Sequence, residues 1–164
     1  MIEFDVSSGQ ITRTFSLTNW MTGPSNLGLE ALTFVPDATH PEGGYFYAGL
    51  QSTGEVFRFD LSIKSSPTVA SVTFIDTLTI EGNHTDIADL SYDPSSDRIL
   101  AVYDSLDRIK VIEKDGELRT QWVAPGSEQE AILYVGGELF IGEDFGSGGK
   151  GTITRYSPFT SIVA

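Results

Sequence analysis

The chain has 164 residues, 40% hydrophobic and 20% charged, an ordinary globular composition with enough apolar residues for a core. Its 23 Asp and Glu against 10 Lys and Arg leave a net charge of −13, which repels phosphate backbones and anionic membranes and argues against nucleic acid as a partner. Cysteine is absent, which excludes disulfides, thiolate metal sites and cysteine nucleophiles; there is no apolar run of the ~18 residues that a membrane span needs, and the start MIEFDVSSGQ lacks the basic and apolar regions of a signal peptide.

In chain order, IEFDV and ITRTFSL read as two strands around the turn SSGQ. The turn-rich segment TNWMTGPSNLG leads to the strand LEALTF (29–34), the polar loop VPDATHPEGG, the strands YFYAGLQ and EVFRFDL, and an edge strand within TVASVTFIDTLTI. After the connector EGNHTD come four short strands, IADLSY, RILAVY, RIKVIE and ELRTQW, separated by the Asp, Ser, Pro and Gly clusters DPSSD, DSLD and KDG, which end strands. PGSEQ then opens QEAILY, ELFIGE and TITRY. Helical periodicity fails beyond one turn anywhere in the chain, and 17 Gly with 7 Pro punctuate it.

These strands repeat. LEALTF (29–34), IADLSY (87–92) and QEAILY (129–134) align without a gap, and the second strands (YFYAG, ILAVY, LFIGE) and third strands (VFRFD, IKVIE, ITRYS) follow in the same order. A recurring four-stranded meander of about 36 residues is the signature of a propeller blade. The predicted fold class is all-β, a β-propeller of four-stranded antiparallel blades with about three blades per chain in one domain spanning 1–164. A β-sandwich of about 13 strands is the alternative. MIEFDVS aligns with VFRFDLS (56–62), so the chain enters at the third strand of a blade.

In such a blade the connector into strand one and the turn between strands two and three share one end. That end collects Glu30, Asp86, Asp89, Glu128 and Glu130 from the connectors, and Asp104, Asp107, Glu143 and Asp144 from the turns. The candidate ligand-binding residues are Glu30, Asp89, Asp104, Glu130, Glu143 and Asp144. A ring of carboxylates suits Ca²⁺, which takes about six to eight oxygen ligands; Glu30, Glu130 and Asp89 are the candidate metal ligands. A solvated acidic rim is the other reading, since no D-x-D-x-D-G loop occurs.

His40 and His84 fall on opposite faces, which argues against a histidine-built metal site; His84, beside the rim, is a candidate general base or a loop residue. Asn83-His84-Thr85 fits a glycosylation sequon. GSGGKG (146–151) resembles a phosphate loop but leads into a strand rather than a helix, so it reads as a turn. Trp20, Tyr103, Phe145 and Tyr156 either floor a sugar or peptide site or pack between blades.

The pattern DLSYDP (89–94) with RILAV (98–102), followed by EAI (130–132) and ELFI (138–141), resembles the SdiA-regulated, YjiK-type propellers and, more distantly, is similar to phytase-like propellers. The resemblance covers about residues 29–158. It implies a ring of about six blades, often exported to the periplasm or outside the cell, with calcium sites in some relatives. Ala31 and Ala131 stand where those relatives usually carry Gly after the acidic residue.

The expected function is a propeller-type binding protein with an acidic channel mouth for a small molecule or cation, with calcium as the implied cofactor. The alternatives are a calcium-dependent hydrolase of phosphate or carboxylate esters and a fragment of a longer propeller. Of the basic residues only Lys150 and Arg108 lie near the acidic face, so calcium would have to hold a phosphate. A homodimer is expected to close the ring, head to tail, with ITRTFSL (11–17) of the partner as the fourth strand of the last blade.

Overall fold

The computed structural model describes residues 1–82, 84–145, 149–157 and 159. Its strands are β1 (Ile2–Asp5), β2 (Gln10–Thr14), β3 (Leu29–Pro36), β4 (Gly44–Leu50), β5 (Val56–Leu61), β6 (Val72–Leu78), β7 (Ile87–Asp93), β8 (Arg98–Tyr103), β9 (Arg108–Ile112), β10 (Leu118–Val123), β11 (Gln129–Val135), β12 (Glu138–Glu143) and β13 (Thr152–Tyr156). Two single 3-10 turns, Thr18–Trp20 and Asp104–Leu106, are the only helix among the described residues. The all-β expectation holds. Asn83 of the sequon and residues 146–148 of GSGGKG lie outside the described residues.

Neighbouring strands in the sheets are consecutive in the chain and antiparallel: a ribbon β1-β2, four-stranded sheets β3-β4-β5-β6 and β7-β8-β9-β10, and a three-stranded sheet β11-β12-β13. This arrangement fits successive blades and not the two facing sheets of a sandwich. The aligned repeats share a local device. Each first strand carries a bulge at the same place, between Leu29 and Ala31, Ile87 and Asp89, and Gln129 and Ala131. The residue set aside is Glu30, Ala88 or Glu130, and the bulge turns it out of the strand's regular alternation at the end where the carboxylates collect.

The sheets stack through three apolar layers. Phe15 and Leu17, following β2, pack with Ala48, Leu50, Phe57, Phe59 and Leu61. Ala31, Val35, Tyr47 and Val56 of the first full sheet meet Ile87, Leu90, Ile99, Ala101, Tyr103 and Ile112 of the second. Leu100, Val102, Ile109 and Val111 on the other side of the second sheet meet Ile132, Tyr134, Leu139 and Ile141 of the third. Alternation along each strand produces the two faces, since successive side chains point to opposite sides.

Hydrogen bonds join the innermost strands. Thr33 Oγ1 accepts the Tyr92 N–H at 3.1 Å, and at the equivalent position one blade on, Ser91 Oγ accepts the Tyr134 N–H at 3.0 Å. The ribbon is held by Arg13, nearly fully buried, whose guanidinium pairs with Glu3 and donates to the carbonyls of Ser62, Ile63, Ser66 and Val69. ITRTFSL therefore pairs with β1 of its own chain and anchors the ribbon on the first full sheet.

Candidate functional site: an acidic rim at the strand entries

At one end of the stack, the residue before each first strand is tied to the residue after each second strand. Gln51 N–H donates to Gly28 O at 2.9 Å, Asp104 N–H to Asp86 O at 3.1 Å, and Asp144 N–H to Glu128 O at 3.0 Å. One backbone rule therefore places Asp86, Asp104, Glu128 and Asp144, and the bulges add Glu30 and Glu130. Asp86 (φ 68°) and Glu128 (φ 54°) occupy the left-handed region, which non-glycine residues seldom adopt outside turns and functional sites.

The carboxylates act on one another. Burial first, then the charges of Asp104, Glu30, Asp86 and Asp144, raise the Glu130 carboxyl above the ordinary glutamate range. Asp104 is raised by burial and by Asp86 and Asp107, against the Gln129 N–H that it accepts at 2.8 Å. The rim residues thus come from all three of the larger sheets and share one field, with Glu30, Glu130 and Asp144 exposed and Asp104 half-buried.

The other two predicted residues have local partners. Asp89 Oδ2 accepts the Ile132 N–H at 2.9 Å, and its pKa is raised by burial against the pull of the Ile132, Leu90 and Leu32 amides. It clasps three inner strands together. Glu143 accepts the Ser127 N–H and the Thr152 hydroxyl, both at 3.1 Å, so it holds the connector into β11 and the start of β13. Glu30, Glu130 and Asp89 are not gathered into one metal-holding group; no three His, Asp or Glu side chains among the described residues stand close enough for that.

Sequence reasoning missed two amides beside the rim. Gln129, fully buried, donates through Nε2 to Pro125 O and Asp107 Oδ1, while its Oε1 has no donor. Gln51 donates to Asp86 Oδ1 at 2.8 Å and likewise has a buried Oε1 without a donor. A signal existed for Gln129, which stands where the repeat carries Leu29 and Ile87.

His84 lies against the Tyr103 ring, and His40 against Tyr45 with Nε2 3.7 Å from Asp60. Trp20 packs on Phe59 and Phe74, Tyr103 is buried in a layer between sheets, and Tyr156 packs in another, so of the four candidate aromatics only Phe145 is exposed. Of the basic side chains near this end, Arg108 donates to the Leu106 and Asp107 carbonyls, and Lys110 is buried with Nζ on Glu81 O.

A family model described as SdiA-regulated matches residues 68–144, just under half of the chain, in agreement with the resemblance in the sequence. No curated protein matches. The fold is similar to the crystal structure of Saccharomyces cerevisiae Sqt1, with 14% identity and a TM-score of 0.50 over 86% of this chain and 36% of that one. A member of the DUF4221 family from Bacteroides vulgatus aligns at 14% identity and a TM-score of 0.46 over 72% of this chain and 34% of that one. The chain spans about a third of the length of these solved structures. No helix among the described residues is long and apolar enough to cross a membrane.

Proposed function

We propose, from a chain whose residues 68–144 carry the SdiA-regulated pattern, that this is a propeller-type binding protein whose acidic rim takes a cation or a cationic small molecule, with Ca²⁺ as the inorganic ligand. The supporting observation is the Glu130 carboxyl, raised first by burial and then by the charges of Asp104, Glu30, Asp86 and Asp144. A cation at that position relieves the mutual repulsion, and carboxylate oxygens are ligands of the kind calcium uses. Because the carboxylates are spread rather than clustered, binding is weak and field-driven in the single chain. A second copy closing the ring and an exported location belong to the same reading.

Calorimetric titration with CaCl₂ tests this. Glu30→Gln with Glu130→Gln is expected to weaken binding at least tenfold, while Asp115→Asn with Glu117→Gln, remote from the rim, leaves it within twofold. Equal effects of the two pairs would reduce the rim to diffuse charge. Turnover in a phosphatase and esterase panel that disappears with chelator would instead support the hydrolase alternative.

A further inference from the structure

At the end of the stack opposite the acidic rim, His40 and Glu42 tie two loops together. His40 sits in the loop between β3 and β4, largely buried, with its ring 4.3 Å from that of Tyr45. Its Nδ1 accepts the Glu42 N–H at 3.2 Å, which places the proton of the neutral imidazole on Nε2. Glu42, itself buried, reaches across to the loop between β5 and β6, where its carboxylate accepts the N–H groups of Lys64 and Ser65. That second loop holds the N-terminal ribbon, since its Ser62, Ile63, Ser66 and Val69 carbonyls are the acceptors around Arg13. A continuous run of polar contacts thus leads from His40 through Glu42 and the β5–β6 loop to Arg13 of β2.

The imidazole faces charges from every side. Asp60 on β5 has Oδ2 3.7 Å from Nε2, and its buried Oδ1 has no donor among the described residues. Asp37 and Glu42 flank the ring in its own loop, and both carboxylates feel its charge. On the cationic side, Arg58 lies over the Tyr45 ring, the Lys64 ammonium lies against Gly43, and Lys114, after β9, acts on Asp37. Contacts with Ser65 and Lys64 hold the Glu42 carboxyl below the ordinary glutamate range, and Thr39 holds Asp37 below the ordinary aspartate range, so both stay ionised in mild acid. Histidine is the side chain that ordinarily gains its charge between about pH 8 and 5.

A protonated imidazole donates from both nitrogens and accepts at neither. A proton on Nδ1 faces the Glu42 N–H and ends that hydrogen bond, while the new positive charge attracts the Asp60 oxygen that has no donor and the Glu42 carboxylate. Glu42 then has two competing partners, the Lys64 and Ser65 amides and the imidazolium. We propose that His40 is a proton-operated release for the Glu42 clamp: neutral His40 leaves Glu42 on the Lys64 and Ser65 amides, and protonated His40 draws it off, freeing the β5–β6 loop and loosening its hold on Arg13 and the ribbon. The clamp is therefore closed above the midpoint of the His40 titration and open below it. This regulation acts at the end of the stack away from the rim and does not depend on what the rim binds.

An NMR titration of the nitrogen-labelled chain from about pH 7.5 to 5.5 tests the release, with His84→Gln serving to assign the His40 ring. The Lys64 and Ser65 amide signals are expected to move with the midpoint of the His40 imidazole, and the Arg13 Nε–H signal with them. The protection of the two amides against hydrogen exchange is expected to fall about fivefold or more across that midpoint. His40→Gln is expected to abolish all of these responses, and Glu42→Gln to leave Lys64 and Ser65 poorly protected throughout. Amide signals that do not follow the His40 midpoint overturn the proposal, as does an unchanged response in His40→Gln or a His40 ring that takes up no proton in this range. An Arg13 signal that stays fixed while Lys64 and Ser65 move overturns the release of the ribbon. The wild-type titration decides the question by itself where a variant fails to fold.

Discussion

Glu130 is the residue on which most of the rim's electrostatics converge. Its folded-state pKa lies above that of an unfolded chain, so at neutral pH the charged form opposes folding. Glu130→Gln is therefore expected to raise stability by ~0.5 kcal/mol at pH 7 and low salt, the scale of a partly screened surface charge. The gain is full above the folded pKa, shrinks as pH falls through it, and vanishes below the ordinary glutamate value, where the carboxyl is protonated in both states. Thermal unfolding from pH 7 to pH 3.5 checks this; a gain that persists at the acid end would mean that Glu130 opposes folding by something other than its charge. Asp104 and Asp89, also raised by burial, share the sign. Asp93, Asp97 and Glu113 are held low by hydroxyl, amide, lysine and arginine partners and lose their contribution as pH falls towards acid.

At the scale of strands and sheets, packing between successive units is the tightest constraint. Gly49 faces Ile87, itself fully buried, and a methyl group there would meet two of its carbons at 2.9 Å. Gly49→Ala is expected to cost about 1–3 kcal/mol by overpacking, measured by urea unfolding; a cost below about 0.5 kcal/mol would mean that the first and second sheets slide apart easily. Strand order and repeat phase were legible beforehand because alternation and turn chemistry are local, and IADLSY, RILAVY and RIKVIE lie within a residue or two of β7, β8 and β9. The bulges were not legible: they leave no mark in a pattern of period two except a slip of one residue. Nor was the burial of Lys110, whose stem runs between sheets to Glu81 O and over the Tyr103 ring. A lysine within RIKVIE reads as solvated until the neighbouring connector is placed on it. Asp89 was legible as an acid at a strand entry, but its role as a clasp on the Ile132 amide depends on the next sheet, 43 residues on.

For the whole molecule, the net charge of −13 acts on fold and function together. Self-repulsion among the carboxylates works against the compact state, and most of it lies between exposed groups, which salt screens over a Debye length of about 8 Å at physiological ionic strength. Added NaCl is therefore expected to raise the melting temperature by a few degrees and then level off, since 1 kcal/mol corresponds to about 2–4 °C in a chain of this size. CaCl₂ at matched ionic strength separates screening from binding. A ligand that binds only the folded chain stabilises by RT ln(1 + [L]/Kd) and keeps raising the melting point as its concentration grows. The expectation is a further rise with CaCl₂ beyond the NaCl plateau, absent when Glu30 and Glu130 are both changed to Gln and retained when Asp115 and Glu117 are changed. Superimposable NaCl and CaCl₂ curves would leave the carboxylates as a solvated rim, with repulsion as their sole effect.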